Sequence, residues 1–301
     1  MEALLTKQIP HLPPPKRGKV REVYDLGTSV LIVATDRISA FDVIMKNGIP
    51  DKGRILNQMS AFWFEELSGV CPNHVITTDD SEIFAKLHGL GSELAGRCTI
   101  AKKAVPLKIE CVARGYLSGS LYNEYRNGGG NVHGLELPPG LGDSSELPEP
   151  IFTPATKADQ RHDMNISFEE ACNIVGKEVA ITARNWTLEL FRRASFHACS
   201  VGLILADTKF EFGLTDQGLI WIDEALTPDS SRFWPITGYR PGQAQPSFDK
   251  QFVRDYLESI HWDKTPPGPE LPVEVVKRTQ EKYKEAFRLV VGREFGSPAS
   301  G

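Results

Sequence analysis

No run of 18 or more apolar residues occurs in the sequence, so a membrane-spanning helix is not expected. The first residues, MEALLTKQIPHLPPPKRGK, lack an apolar stretch ahead of a cleavage site, so secretion is not expected either. Cysteine is sparse: Cys71, Cys98, Cys111, Cys172 and Cys199 form an odd set with no C-x-x-C pair. Buried, reduced thiols in a cytoplasmic protein are the simplest reading. The seven histidines are scattered and form no H-E-x-x-H, which leaves zinc catalysis without support. Basic residues do not dominate: 34 Lys and Arg face 39 Asp and Glu, a net charge of −5. That argues against a nucleic-acid-binding surface. The common nucleotide motifs are missing as well. Gly18-Lys19 and Gly176-Lys177 are followed by Val20 and Glu178, not by the Ser or Thr of a Walker A loop. No G-x-G-x-x-G opens a helix and no H-R-D catalytic loop is present.

What is present suffices for a large core, since 41% of the 301 residues are hydrophobic. Residues 1–16 read as a Pro-rich lead-in. KVREVYDLGTSVLIVATDRI reads as two strands about Leu26–Ser29, and 57–67 has helical spacing. Further strands are expected over 71–78 and 98–114, and a helix from Ser120. Residues 127–156, rich in Gly, Pro and Ser, read as one long loop. A capping box at Ser167 and Glu170 opens a helical region reaching Ala198. Helices are expected again over 248–260 and 272–292. The fold class is α+β: a smaller antiparallel β-rich domain over 1–110, and a larger α+β domain over 111–301.

Chemistry concentrates at LILADTKFEFGLTDQGLIWIDEALTPDSSRFW. Asp216-Gln217-Gly218 marks a hairpin turn. A three-residue loop there would pair Thr215 with Leu219 and set Glu211 opposite Asp223. Asp207, Lys209 and Glu211 would share one face. Facing carboxylates are destabilising unless compensated, and Mg²⁺ is held by one or two carboxylates plus phosphate oxygens. The alternative is a salt-bridge network with Lys209.

Three other segments carry charge suited to phosphate. Lys16-Arg17-Gly18-Lys19-Val20-Arg21 could meet phosphates through its cations and a close backbone approach at Gly18, or form a solvated basic turn. Arg114 to Ser120 joins a strand to a helix start, with a planar donor fork and hydroxyls suited to an anion; ordinary capping is the alternative. Arg232, after Pro228-Asp229-Ser230-Ser231, would lie near Asp223 and could bind an anionic substrate; the alternative is a turn with a capping Asp and a surface Arg. FTPATKAD, residues 152–159, reads as a lid touching substrate or nucleotide, or as a solvated turn.

Together RGKVREVY (17–24), TDRISAFD (35–42), IECVARGYLSGS (109–120), FTPATKAD (152–159), LADTKFEFG (205–213) and DEALTPDSSRFW (223–234) resemble the SAICAR synthetase family of purine biosynthesis. The length and the LTPDSSRFW form resemble its single-function fungal-type members. The resemblance implies an ATP cleft between the two domains, similar to protein kinases and ATP-grasp enzymes. It implies ATP-dependent joining of L-aspartate to the carboxylate of CAIR (5-aminoimidazole-4-carboxy ribonucleotide), through an acyl phosphate. By the same resemblance Glu211 and Asp223 hold Mg²⁺, and Arg17, Gly18, Lys19 and Val20 cover the ATP phosphates. The strand from Lys103 to Glu110 would meet the adenine. Arg114, Ser118, Ser120 and Arg232 would bind the CAIR phosphate. Lys209 would neutralise the reacting groups, and Asp36 and Asp207 would orient the substrate and that lysine. The expected partners are small molecules only, with neither nucleic acid nor membrane, and the expected state is a monomer. Two readings from other classes are a small-molecule kinase for inositol phosphates and a non-catalytic nucleotide-binding regulator.

Overall fold

The computed structural model describes residues 2–157, 164–248 and 250–297. The first part contains β1 (Lys16–Arg17), β2 (Arg21–Asp25), β3 (Ser29–Ala34), β4 (Ser39–Ala40), β5 (Val43–Ile44), α1 (Lys52–Glu66), β6 (Val75–Thr77), α2 (Asp80–Lys86) and β7 (Cys98–Lys102). Next come β8 (Val105–Pro106), β9 (Ile109–Leu117), α3 (Ser120–Gly128), β10 (Asn131–Val132), β11 (Leu135–Glu136), β12 (Ser145–Phe152), β13 (Ala155–Thr156), α4 (Phe168–Val175) and α5 (Lys177–Ser200). The chain closes with β14 (Leu203–Thr215), β15 (Gly218–Ile222), β16 (Ser231–Pro235), α6 (Gln251–Ser259) and α7 (Val273–Val291).

Two larger antiparallel sheets, beside the two-stranded pairs β4–β5 and β10–β11, organise these elements among the described residues, consistent with an α+β fold. The first is five-stranded in the order β1-β2-β3-β7-β6. Its β2–β3 turn closes where expected: Asp25 Oδ1 accepts from Gly27 N at 2.7 Å, and Gly27 takes φ +85°. Tyr24, Leu31, Val33 and Ile100 form its core with Ile83 and Leu94. Ile9 is buried in the same cluster, and Leu4 N donates to Asp36 Oδ2 at 2.8 Å. The lead-in expected over 1–16 is therefore packed against the sheet. So is the unforeseen helix α2, capped by Asp79.

The second sheet runs β12-β9-β14-β15, with β13 on β9 and with β8 and β16 on β14. Strand β14 changes partners along its length. Its first half lies between β9 and β16, and its second half between β15 and β8. Leu205, Phe210 and Phe212 of β14 pack with Trp63 of α1, Leu190 and Phe191 of α5, and Tyr283 and Phe287 of α7. Helix α1, early in the sequence, thus belongs to the core of the second sheet.

Four expectations need correction. Residues 127–156 are not one loop, because β12 pairs with β9 and β10 with β11. Pro148 and Pro150 hid β12. Proline is tolerated on an edge strand, and β12 ends the sheet with an irregular register between Glu146 and Ile151. Gly176, at φ +89°, divides the helical region into α4 and α5. The hairpin loop has two residues: Thr215 pairs with Gly218, so Glu211 lies opposite Ile222, not Asp223. Lastly, Cys172 is only half-buried and Cys199 is exposed. Among the described residues no helix is long and apolar enough to cross a membrane.

The capping box is present as read: Ser167 N donates to Glu170 Oε2 at 2.7 Å, and Glu170 N to Ser167 Oγ at 3.2 Å. Ser167→Ala is expected to lower stability by about 1 kcal/mol, read as a shifted urea midpoint with an unchanged slope.

Candidate active site

Alternation along β14 places Asp207, Lys209 and Glu211 on one face, while Phe210 and Phe212 enter the core. Each acidic or basic group on that face is met by charges from other elements.

Asp207 lies opposite Arg114 of β9 and Arg232 of β16. Its Oδ2 accepts from Arg114 at 2.9 Å and pairs with Arg232 at 3.0 Å. Arg114 Nε also donates to Thr153 Oγ1 at 2.8 Å, and Arg232 to Ser118 Oγ at 2.6 Å. Two guanidinium groups on one carboxylate leave a net positive charge. Burial, followed by the opposing influence of Asp207, leaves the Arg114 pKa below its ordinary value. Further donors on both forks suit a phosphomonoester. Helix α3 begins beside them at Ser120, after Gly119 at φ +61°. A Cβ at Gly119 would stand 2.4 Å from Arg232, so only glycine lets the arginine lie across the turn.

Lys209 pairs with Glu110 at 2.6 Å and stands 4.0 Å from Glu211. Burial opposes its charge, but Glu110 and Glu211 outweigh burial and raise its pKa. Glu211 also accepts from Lys157, just beyond β13. Asp223 follows the end of β15 at φ +69°. Its carboxylate pairs with Arg21 at 2.5 Å, and Arg21 also reaches Glu224 at 2.5 Å. The two carboxylates still sense one another. Burial and then Asp223 raise the Glu211 pKa, with Lys157 and Lys209 acting against them. Burial opposes the charge on Asp223 too, yet Arg21 and Lys209 hold that carboxyl below its ordinary value.

Beneath this face lies a buried charge network. Asp229 Oδ2 pairs with Lys52 at 2.7 Å and Lys250 at 3.4 Å, and its Oδ1 accepts from Tyr283 at 2.5 Å. Lys52 and Tyr283 are fully buried. Asp229 is held well below the usual carboxylate range: burial works against its charge, but Lys250 and Lys52 prevail. The turn it anchors is tied to β14, where Lys209 N donates to Ser230 C=O at 3.0 Å.

The remaining expected residues lie in the first sheet and its connections, except Ser120 at the start of α3. Gly18 N donates to Arg21 C=O at 2.8 Å, and Val20 C=O accepts from Thr35, at the β1–β2 tip. Lys19 pairs with Asp42, Arg17 with Glu22 at 3.3 Å, and Lys103 with Asp25 at 2.6 Å. Asp36 is buried and saturated: it meets Arg97 at 3.0 Å and accepts from Gly53 N and Leu4 N, both at 2.8 Å. Neither Asp36 nor Asp207 bonds Lys209 in this arrangement. Glu110 holds that lysine instead, and Asp207 holds the arginines. Ser120 Oγ accepts from Asn165 at 3.5 Å. Asp159 lies outside the described residues.

Sequence reasoning gave no role to Lys52, and placed Arg21 only in a basic cluster, Lys157 only in a lid-like segment and Asp229 only as a capping residue of a turn. Arg21 and Lys157 stood inside quoted motifs, but only the fold shows which carboxylates they meet. Among the described residues no three His, Cys, Asp or Glu side chains could jointly hold a metal ion. Glu211 and Asp223 are two hard oxygen donors, a set that fits Mg²⁺ completed by phosphate and water.

An acidic pair, a lysine and a two-arginine anion clamp on one sheet have the charges of a phosphoryl-handling α+β enzyme. The family model for SAICAR synthetase matches residues 15–269, and the chain belongs to that family. It is 53% identical over 291 residues to the phosphoribosylaminoimidazole-succinocarboxamide synthase of Geotalea uraniireducens, covering 96% of this chain and 98% of that protein. The synthase of Desulfosudis oleivorans is 54% identical over 278 residues, covering 92% of this chain and 94% of that one. The solved SAICAR synthase of Saccharomyces cerevisiae, complexed with SAICAR, superposes with a TM-score of 0.88 at 41% identity. That match covers 97% of this chain and 100% of the yeast chain. The fungal-type qualification is not supported, since relatives at 53% and 54% identity are bacterial.

Lys52→Met leaves a buried carboxylate with one cation fewer. It is expected to cost about 3 kcal/mol, read from chemical unfolding.

Proposed function

We propose that the chain joins L-aspartate to the carboxylate of CAIR with ATP, giving SAICAR, ADP and phosphate. The observation that carries this reading is the order of groups on β14. Asp207 with Arg114 and Arg232, then Lys209, then Glu211, follow on alternate residues. Two residues of strand span about 7 Å, so anion clamp, reacting centre and metal end form a line. A ribonucleotide phosphate on the clamp would send its carboxylate toward Lys209.

ATP lies in the cleft between the two domains in this reading. The Gly18–Val20 tip with Lys19 and Arg17 covers its phosphates, and the segment from Lys103 toward Glu110 meets the adenine. Glu211 and Asp223 hold Mg²⁺, which when bound neutralises the triphosphate and polarises its γ-phosphoryl group. Lys209, fixed by Glu110, neutralises the CAIR carboxylate as it attacks. One carboxylate oxygen bonds to the γ-phosphorus while the bond to the ADP oxygen breaks, giving an acyl phosphate. The aspartate amine then bonds to the acyl carbon, phosphate departs, and the nitrogen loses a proton. Positioning and charge neutralisation are the main demands of the first step. Asp207 acts through the arginines it spaces, and Ser118 and Ser120 border the same phosphate site. Asp36 supports the first sheet near this cleft. A reducing compartment such as the cytoplasm accords with five free cysteines.

The test is ADP release and SAICAR formation with CAIR and aspartate each omitted in turn. Product is expected only with both, and Glu211→Ala and Asp223→Ala should each lower kcat by about 100-fold or more. ADP release with inositol phosphates but not with CAIR would overturn the reading in favour of a kinase. ATP binding without turnover would favour the regulator. Neither alternative gains an observation from the fold or from the relatives. The clamp has its own test. Gly119→Ala is expected to displace Arg232 and raise KM for CAIR by about tenfold, the effect of one strong charged hydrogen bond. KM for ATP should hold. An unchanged KM for CAIR would remove Arg232 from the phosphate site.

A further inference from the structure

The cations around Glu211 and Asp223 are not held alike. Lys209 has Glu110 at 2.6 Å as well as Glu211, and Arg21 has Glu224 at 2.5 Å as well as Asp223. For Lys157, Glu211 is the one ion-pair partner among the described residues. Were Glu211 and Asp223 to ligate a divalent cation, Lys209 and Arg21 would each keep a carboxylate. Lys157 would keep none among the described residues and would face a second cation at close range. Its backbone is anchored, since Lys157 N donates to Lys108 C=O at 3.2 Å. Its side chain is 38% exposed, and the four-carbon stem can turn without moving the chain. The anion that arrives with the metal is the triphosphate.

We propose that Lys157 is an exchangeable counter-cation: it neutralises Glu211 until the metal and nucleotide bind, then moves to the phosphate oxygens and positions the γ-phosphoryl group. This rests on the metal-site reading above. It assigns Lys157 to the phosphate rather than to a surface turn. It also makes metal and nucleotide binding cooperative, because the metal alone must displace Lys157 with no phosphate to receive it.

The probes are Mn²⁺ alone and Mn²⁺ with a non-hydrolysable ATP analogue, with binding followed by electron paramagnetic resonance. Lys157→Met is expected to bind Mn²⁺ alone about tenfold more tightly than wild type and the Mn²⁺–nucleotide complex about tenfold more weakly, within the usual range of coupling between ligands. Lys157→Arg should restore the wild-type order. A lysine that merely supports the turn would shift both affinities in one direction, or neither, and either result overturns the proposal. Glu211→Gln separates the two levels of argument. If it leaves Mn²⁺ binding at the wild-type value, the metal-site reading itself fails. If it weakens Mn²⁺ binding while Lys157→Met shows no crossover, only the role of Lys157 fails.

Discussion

The candidate site depends on compensating negative charge on one face of β14 and at the end of its partner strand. Asp207, Glu211 and Asp223, with Glu110 and Glu224 beside them, place five carboxylates near one sheet. Arg114, Arg232, Lys209, Lys157 and Arg21 answer them from β9, β16, β14 itself, the turn after β13 and β2. Paired charges in a partly buried site persist only when the geometry is good and remaining donors are used. The fold supplies that geometry by letting β14 change partners midway. Its early half is flanked by the two arginine-bearing strands, and its later half leads to the hairpin that delivers Asp223.

Much of this could be read from the chain, for physical reasons that differ by element. Alternation put Asp207, Lys209 and Glu211 on one face without knowledge of register, because the side-chain period of a strand is two. Register itself could not be fixed. Gly218 fits either the loop or the first strand position, and it took the latter. A one-residue slip ordinarily moves a side chain to the opposite face. Asp223 escapes that outcome because it lies past the strand in a left-handed conformation and meets Arg21 there. The idea of a facing pair was thus close in consequence and mistaken in mechanism. Strand β12 was hidden by Pro148 and Pro150, since edge strands alone tolerate prolines and edges cannot be assigned before the sheet is known.

Long-range partners were not legible at all. Arg21 stands 202 residues from Asp223 and Lys52 stands 177 from Asp229, and no local pattern links such positions. Asp36 shows the converse. A motif aspartate invites a chemical role, yet both its oxygens are used by Arg97 and two backbone amides. Its charge holds the first sheet to the start of α1, close to where Lys52 enters the buried network.

That network fixes the strand on which the proposed mechanism places its lysine. Asp229 gathers Lys52 of α1, Lys250 and Tyr283 of α7 around a turn that also bonds β14. The Lys209 backbone is therefore fixed from both sides of its strand, by Val112 in register and by Ser230, while Glu110 fixes its ammonium. A lysine that must neutralise a reacting carboxylate works best when it does not have to be reordered for each turnover. Lys157 has the opposite arrangement, with Glu211 as its one ion-pair partner among the described residues and a partly exposed stem. The two lysines near Glu211 are held differently, Lys209 by Glu110 as well and Lys157 by Glu211 among the described residues; in the proposed mechanism the first stays with the acceptor and the second follows the phosphate.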